Sequence, residues 1–78
     1  DLIVMDPPRR GCEKDVLLAV SAIAPRRIVY VACDPATQAR DVAFFVQEGY
    51  ELKAVQPLDM FPQTKHIEAV ALLEKRRG

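Results

Sequence analysis

Two short apolar runs, each followed by an Asp and a Pro, constrain the fold of this chain more than any other feature. The runs are Leu2–Met5, with Asp6 behind it, and Ile28–Ala32, with Asp34 two positions on. Short, continuous apolar runs are typical of strands that are buried on both faces of a parallel sheet. Proline cannot continue such a strand, but it suits the first turn of a helix. The chain is therefore predicted to alternate strands with helices.

Two helices are predicted from the spacing of the apolar residues. The first opens at residues 13–15 and is closed by Pro25; its apolar positions at helical spacing are Val16, Leu17, Val20 and Ile23. The second spans residues 35–47, with Asp34 as N-cap and Gly49 as C-terminal stop. Its predicted inner face carries Ala36, Ala39, Ala43 and Val46.

Two further strands complete the predicted α/β fold, in the order β-α-β-α-β-β within one domain, residues 1–78. Residues 50–57 alternate, which predicts a half-exposed strand with Tyr50, Leu52, Ala54 and Gln56 on one side. Residues 67–73 form an apolar final strand. Strands that alternate with helices favour parallel pairing through right-handed crossovers. The last two strands have no helix between them, so we expect an antiparallel hairpin there.

Composition limits the function classes that fit the chain. Eleven basic and eleven acidic residues give zero formal charge, whereas a chain that holds RNA by itself usually carries a basic excess. No apolar run approaches the roughly 20 residues that cross a bilayer, so no membrane partner is expected. The two cysteines lack the spacing of metal ligands, and so few cysteines favour a reduced, cytoplasmic setting. A start at Asp1 that leads at once into a strand indicates a piece of a longer protein.

Cys33 lies between the second apolar run and the predicted N-terminus of the second helix. Unpaired N–H groups and the helix dipole favour negative charge at such a position, which is typical of reactive thiolates. The alternative is a buried structural cysteine, the commoner role of a lone Cys in an apolar strand. The residue pattern alone leaves both open.

Three ordered motifs carry a family resemblance. They are Asp-Pro-Pro-Arg-Arg-Gly at residues 6–11, Tyr-Val-Ala-Cys-Asp-Pro-Ala-Thr at residues 30–37, and Asp-Met-Phe-Pro-Gln-Thr-Lys-His-Ile-Glu at residues 59–68. Together they resemble the uracil-5-methyltransferases of tRNA and rRNA, which use S-adenosylmethionine to make 5-methyluridine. The resemblance runs nearly end to end. One departure is Ala32, where the family usually has Ser.

The resemblance implies the C-terminal half of a Rossmann-like methyltransferase domain. The three glycines, at positions 11, 49 and 78, form no Gly-rich loop. We therefore expect most of the S-adenosylmethionine site to lie outside this chain, and the isolated chain to be inactive. The resemblance also implies RNA as the partner of the full-length protein.

The same resemblance assigns roles to six residues. Cys33 would be the nucleophile and Glu68 the base that removes a proton from the uracil ring. Asp6 would border both the cofactor and the target base, and the substrate-binding residues would be Arg9, Gln63 and His66. Plainer roles remain open: Glu68 as an edge-strand charge that faces water, Asp6 as a turn residue, Arg9 as the partner of a carboxylate, and His66 as a structural histidine.

Two other functions compete with this interpretation. Amino-methyltransferases also carry an Asp-Pro-Pro run, although they normally follow it with an aromatic residue, where this chain has Arg9, and they do not need Cys33. The chain could also be a folding or assembly module without catalysis. The resemblance implies that Leu2–Met5 lies mid-sheet in the full-length protein. In this chain alone it would present an apolar sheet edge, so we expect a second copy of the chain to cover it.

Overall fold

The computed structural model describes residues 1–58 and 68–76 of the chain. Its elements are β1 (Leu2–Met5), α1 (Lys14–Ile23), β2 (Arg27–Ala32), α2 (Pro35–Gln47), β3 (Tyr50–Leu58) and β4 (Glu68–Lys75). The predicted order β-α-β-α-β-β is confirmed, and no boundary moves by more than two residues. Neither helix in these two stretches has the length and apolar character needed to cross a membrane.

The four strands form one sheet in the spatial order β1-β2-β4-β3. β1 runs parallel to β2, whereas β4 runs antiparallel to both of its neighbours. The predicted hairpin of the last two strands is confirmed. Because β4 lies between β2 and β3, those two strands point the same way without pairing, and parallel pairing is limited to β1 and β2.

One face of the sheet is covered by both helices and holds the core. The buried residues of this layer alternate along the paired strands: Ile28, Tyr30 and Ala32 in β2, and Ala69, Ala71 and Leu73 in β4. The helices contribute four apolar side chains to the same core: Leu17, Val20, Val42 and Phe45. The fold of this chain is thus two layers, helices on one side and an open sheet face on the other.

β1 is at the edge of the sheet, as expected for this chain alone, and it is not buried on both faces as its apolar pattern predicts. Leu2 is 55% and Val4 64% exposed, whereas Met5 is buried. The reason is the position of the strand: β1 is at the edge of the sheet, and Leu2 and Val4 point to the face that neither α1 nor α2 covers.

The inner faces of the helices differ from those predicted. In α1, Leu17 and Val20 are buried as expected, but Val16 and Ile23 are exposed. In α2 the predicted alanine face points outward, and the buried residues are Gln38, Asp41, Val42 and Phe45. Alanine offers little area to bury, so the large side chain of Phe45 sets the orientation of α2.

A β-bulge in β3 overturns the predicted alternation of that strand. Leu52 pairs with Leu73, but the next paired residue is Ala54, opposite Leu72, so Lys53 is an extra residue. An extra residue shifts every later side chain to the other face of the sheet. Val55 therefore lies on the same face of the sheet as Leu52. The sequence pattern predicts Ala54 on that face instead.

Candidate functional site

The end of β2 and the start of β4 meet at one edge of the sheet. The last pair of their ladder joins Ala32 to Ala69. Cys33 follows β2 directly along the chain, and Glu68 precedes Ala69 as the first residue of β4. The backbones of the two predicted catalytic residues therefore lie one step beyond the last ladder pair of two adjacent strands, which run roughly 5 Å apart in a sheet.

Asp6 reaches the same edge from the other side of β2. The parallel ladder of β1 and β2 ends with Met5 beside Tyr30, and Asp6 follows directly. Carboxyl ends of parallel strands are where open α/β sheets bind ligands. Asp6 is exposed. The structure thus places Asp6, Cys33 and the backbone of Glu68 at the ends of three neighbouring strands.

The local structure around Cys33 confirms its predicted position before a helix. Asp34 is the N-cap of α2, and its Oδ1 accepts hydrogen bonds from the N–H groups of Ala36 (3.0 Å) and Thr37 (3.4 Å), while Pro35 takes the first helical position. Cys33 itself is a half-buried free thiol. Cys33 therefore lies directly before a capped helix N-terminus.

Cys12 has a different environment, although it is also a free thiol. It is buried, and burial raises the pKa of the Cys12 thiol, with the charge of Asp41 raising it further. A raised pKa keeps the thiol protonated at neutral pH and makes it a poor nucleophile. Cys12 is therefore a packing residue.

A buried polar cluster under the loop of residues 6–12 was not predicted from the sequence. Asp41 is completely buried and accepts hydrogen bonds from the backbone N–H of Cys12 (3.0 Å) and the hydroxyl of Tyr30, and it pairs with Arg40 Nε at 3.2 Å. Burial, and next the hydrogen bond to Asp41, raise the pKa of Tyr30, so its hydroxyl remains a donor. The buried residues of α2 follow helical spacing: Gln38, Asp41, Val42 and Phe45. Because two of them are polar, a search for apolar residues at helical spacing does not find this face.

Gly11 brings the loop into direct contact with α2. Its N–H donates to the carbonyl of Pro8 at 2.8 Å, and its φ is +88°, a region that favours glycine. A Cβ at this position would meet the Thr37 side chain and would lie 2.6 Å from Arg40 Nη2 and 2.9 Å from Asp41 Oδ2. The glycine of the first motif is therefore required by close packing against α2.

Gln38 connects α2 to the two strands that end at the site. Its side-chain amide is buried and donates to the carbonyl of Tyr30 (3.2 Å) in β2 and to that of Ala69 (3.0 Å) in β4. One side chain thus fixes the start of α2 over the strands that carry Cys33 and Glu68.

Three predicted site residues remain. Arg9 is exposed on the loop after β1, and Gln63 and His66 lie outside the described residues. A cavity of about 410 Å³ opens beside Asp6, but it extends toward Val16 and Val20, and Cys33 is not among its lining residues. That cavity is a gap between the loop and α1, and we do not assign the substrate to it.

Comparison with known proteins gives matches over almost the whole chain. The profile of the tRNA (uracil-5-)-methyltransferase family matches residues 1–76. A protein of Caldanaerobacter subterraneus named as an uncharacterised RNA methyltransferase is 51% identical over 75 residues, which are 96% of this chain and 17% of that protein. A protein of Oceanobacillus iheyensis with the same description is 56% identical over 73 residues, 94% of this chain and 16% of the relative.

A solved structure matches as well. It is the crystal structure of Pyrococcus abyssi tRNA (uracil-54, C5)-methyltransferase in complex with S-adenosyl-L-homocysteine, with a TM-score of 0.79 and 41% identity. The match covers 94% of this chain and 18% of that one. The α/β fold predicted from the sequence is thus the fold of part of a methyltransferase, and this chain spans less than a fifth of the length of the relatives described here.

The close approach of Gly11 to α2 can be measured by substituting alanine for two glycines. Gly49 also has positive φ, at +101°, but a Cβ there would meet nothing within 4 Å. We expect Gly49→Ala to cost about 1–2 kcal/mol from backbone strain, and Gly11→Ala to cost a further ~1–3 kcal/mol from the clash with α2. Urea unfolding of the chain, followed by circular dichroism, measures both; equal costs would contradict the packing role of Gly11.

Proposed function

The chain belongs to the tRNA (uracil-5-)-methyltransferase family, and we propose that it is the C-terminal part of the catalytic domain of an enzyme that methylates carbon 5 of a uridine in tRNA or rRNA. The observation that carries this proposal is the meeting of three motif residues at one sheet edge: Asp6 after β1, Cys33 after β2 and Glu68 at the start of β4. The full-length enzyme, its RNA and its cofactor are all part of the proposal.

The reaction needs a nucleophile and a base because carbon 5 of uracil is itself a poor nucleophile. The Cys33 thiolate adds to carbon 6, which makes carbon 5 electron-rich. Carbon 5 would then take the methyl group of S-adenosylmethionine, whose sulfur–methyl bond breaks to release S-adenosylhomocysteine. Glu68 then removes the proton from carbon 5, the carbon–sulfur bond breaks, and Cys33 leaves as a thiolate. The adjacent positions of the two residues along β2 and β4 support this division of roles.

We assign Asp6 to a position between the cofactor and the target base. Its carboxyl group is exposed at the carboxyl end of β1, and a carboxylate there complements the positive sulfonium centre of S-adenosylmethionine. We assign Arg9, on the same loop, together with Gln63 and His66, to contacts with the target nucleotide. The Gly-rich part of the cofactor site is assigned to other parts of the full-length protein.

RNA is the proposed substrate, but its main binding surface is assigned elsewhere. Zero formal charge on this chain provides little net attraction for a phosphate backbone. A uracil within a helix or stack cannot reach Cys33, so the target nucleotide must be flipped out into the site. We place the enzyme in the cytoplasm, where its two free thiols would remain reduced.

Substitution of the two catalytic residues in the full-length enzyme tests the mechanism. We expect Cys33→Ala to lower turnover by at least about a thousandfold and to abolish the covalent RNA adduct. Glu68→Gln should slow turnover by about a hundredfold or more while the adduct accumulates, because release needs the base. Denaturing gels with labelled RNA show the adduct, and labelled methyl groups measure turnover.

Cys12→Ala is the matched control, since that thiol is buried and its pKa is raised by burial. It should form the adduct as the wild type does. Retained turnover in Cys33→Ala would instead favour an amino-methyltransferase, which needs no nucleophilic cysteine.

The isolated chain should not transfer methyl groups. Its three glycines form no phosphate-type or cofactor-binding loop, so we expect no binding of S-adenosylmethionine in titration calorimetry up to millimolar concentration. Micromolar affinity in that experiment would show that the chain holds a complete cofactor site.

The open edge at β1 favours self-association of the isolated chain. In the described stretches β1 pairs with β2 alone, and Leu2 and Val4 are exposed beside its free edge. An apolar edge strand invites pairing with a second copy. We expect sedimentation to show dimers or larger species at high concentration, reduced by Val4→Lys. A wild-type chain that stays monomeric would contradict this proposal.

A further inference from the structure

We propose that Arg40 and Asp41 are positioning residues that clamp the loop of residues 6–12 onto α2 and so fix Asp6 and Arg9 relative to Cys33. This inference rests on the proposed function, since it concerns the geometry of that site. The inference goes beyond the proposed function because neither Arg40 nor Asp41 is among the residues proposed to contact the cofactor or the RNA.

The described contacts that join this loop to α2 are concentrated at its inner end. Residues 6–10 lie between β1 and the buried pair formed by Gly11 and Cys12, and four of these five residues are exposed. The inner end of the loop carries the contacts: Gly11 is packed against α2, and Cys12 is buried. A movement of this inner end would displace the residues of the same loop that precede it, among them Asp6 and Arg9.

Arg40 and Asp41 both form hydrogen bonds to the backbone of that inner end. Arg40 Nη2 donates to the carbonyl of Arg10 at 3.1 Å and lies 3.5 Å from the carbonyl of Cys12. Asp41 Oδ2 accepts from the N–H of Cys12 at 3.0 Å. The ion pair between Arg40 Nε and Asp41 Oδ1, at 3.2 Å, holds the two side chains in one arrangement.

The same cluster is tied to the strand that carries the nucleophile. Asp41 also accepts from the hydroxyl of Tyr30, which lies in β2 three residues before Cys33. Helix α2 itself begins directly after Cys33 and its cap Asp34. The loop, the helix and the strand therefore share one buried carboxylate, so a shift of the loop relative to Cys33 breaks bonds at Asp41.

The test uses the full-length enzyme with Arg40→Ala and Asp41→Asn. Arg40 is 61% exposed at its side chain, so its removal leaves the core filled and the protein folded. Arg26→Ala is the matched control, because Arg26 is an exposed arginine at the opposite end of the sheet. Arg40→Lys retains the charge but replaces the planar guanidinium, with its several donor nitrogens, by a single amine. We expect this variant to be more active than Arg40→Ala and less active than the wild type.

Two readouts separate positioning from general stability. In Arg40→Ala and Asp41→Asn, hydrogen exchange at the amides of Gly11 and Cys12 should accelerate about tenfold or more beyond any acceleration at the amides of the β2–β4 ladder. Turnover and the rate of adduct formation at Cys33 should fall about tenfold to a hundredfold, since a displacement of about 1 Å is enough for such a loss. Arg26→Ala should change neither.

The outcomes distinguish this inference from the proposed function. Unchanged exchange at Gly11 and Cys12, or faster exchange with full activity, would overturn the clamp as a positioning device. A loss of activity that only follows the loss of ladder protection would also overturn it. If Cys33→Ala retains methyl transfer, the proposed function fails, and the exchange of the loop amides still decides whether Arg40 and Asp41 hold the loop.

Discussion

The pairing of β2 with β4 is the constraint on which the candidate site depends. The ladder ends with Ala32 opposite Ala69, and one step further the backbones of Cys33 and Glu68 are neighbours. A simple meander, with β4 outside β3, would put a full strand between them and separate them by about 10 Å. Insertion of β4 between β2 and β3 removes that strand, and the amide of Gln38 bridges the two strands at this end.

Features that depend on a few neighbouring residues could be predicted from the sequence. Asp34 with Pro35, and Gly49 with its positive φ, determine where α2 begins and ends, and the structure agrees at both ends. The inner face of α2 could not be predicted in this way. Gln38 and Asp41 are buried because their partners come from distant segments; Cys12 is 29 residues away from Asp41. A hydrophobicity pattern contains no information about such partners.

The same distinction between local and long-range information applies to the candidate site. The motifs locate Asp6 and Cys33 at strand ends, because the strand stops are local signals, and the structure places both there. That these ends become neighbours is a property of the sheet order, which a strand-by-strand analysis leaves open. The extra residue at Lys53 shows the same limit, since one bulge changed the face of every later residue in β3.

Asp41 couples three parts of the chain energetically as well as geometrically. It is completely buried, and an apolar replacement would leave the N–H of Cys12 and the hydroxyl of Tyr30 without their acceptor. Each buried donor left without an acceptor costs about 1–3 kcal/mol, so the two together are a large share of the roughly 5–15 kcal/mol that stabilises a domain. Substitutions at Gly11, Tyr30 and Arg40 act on this same carboxylate, so their effects on stability cannot be independent and should not add. The inner end of the loop that carries Asp6, at Gly11 and Cys12, is therefore held by the core of this chain.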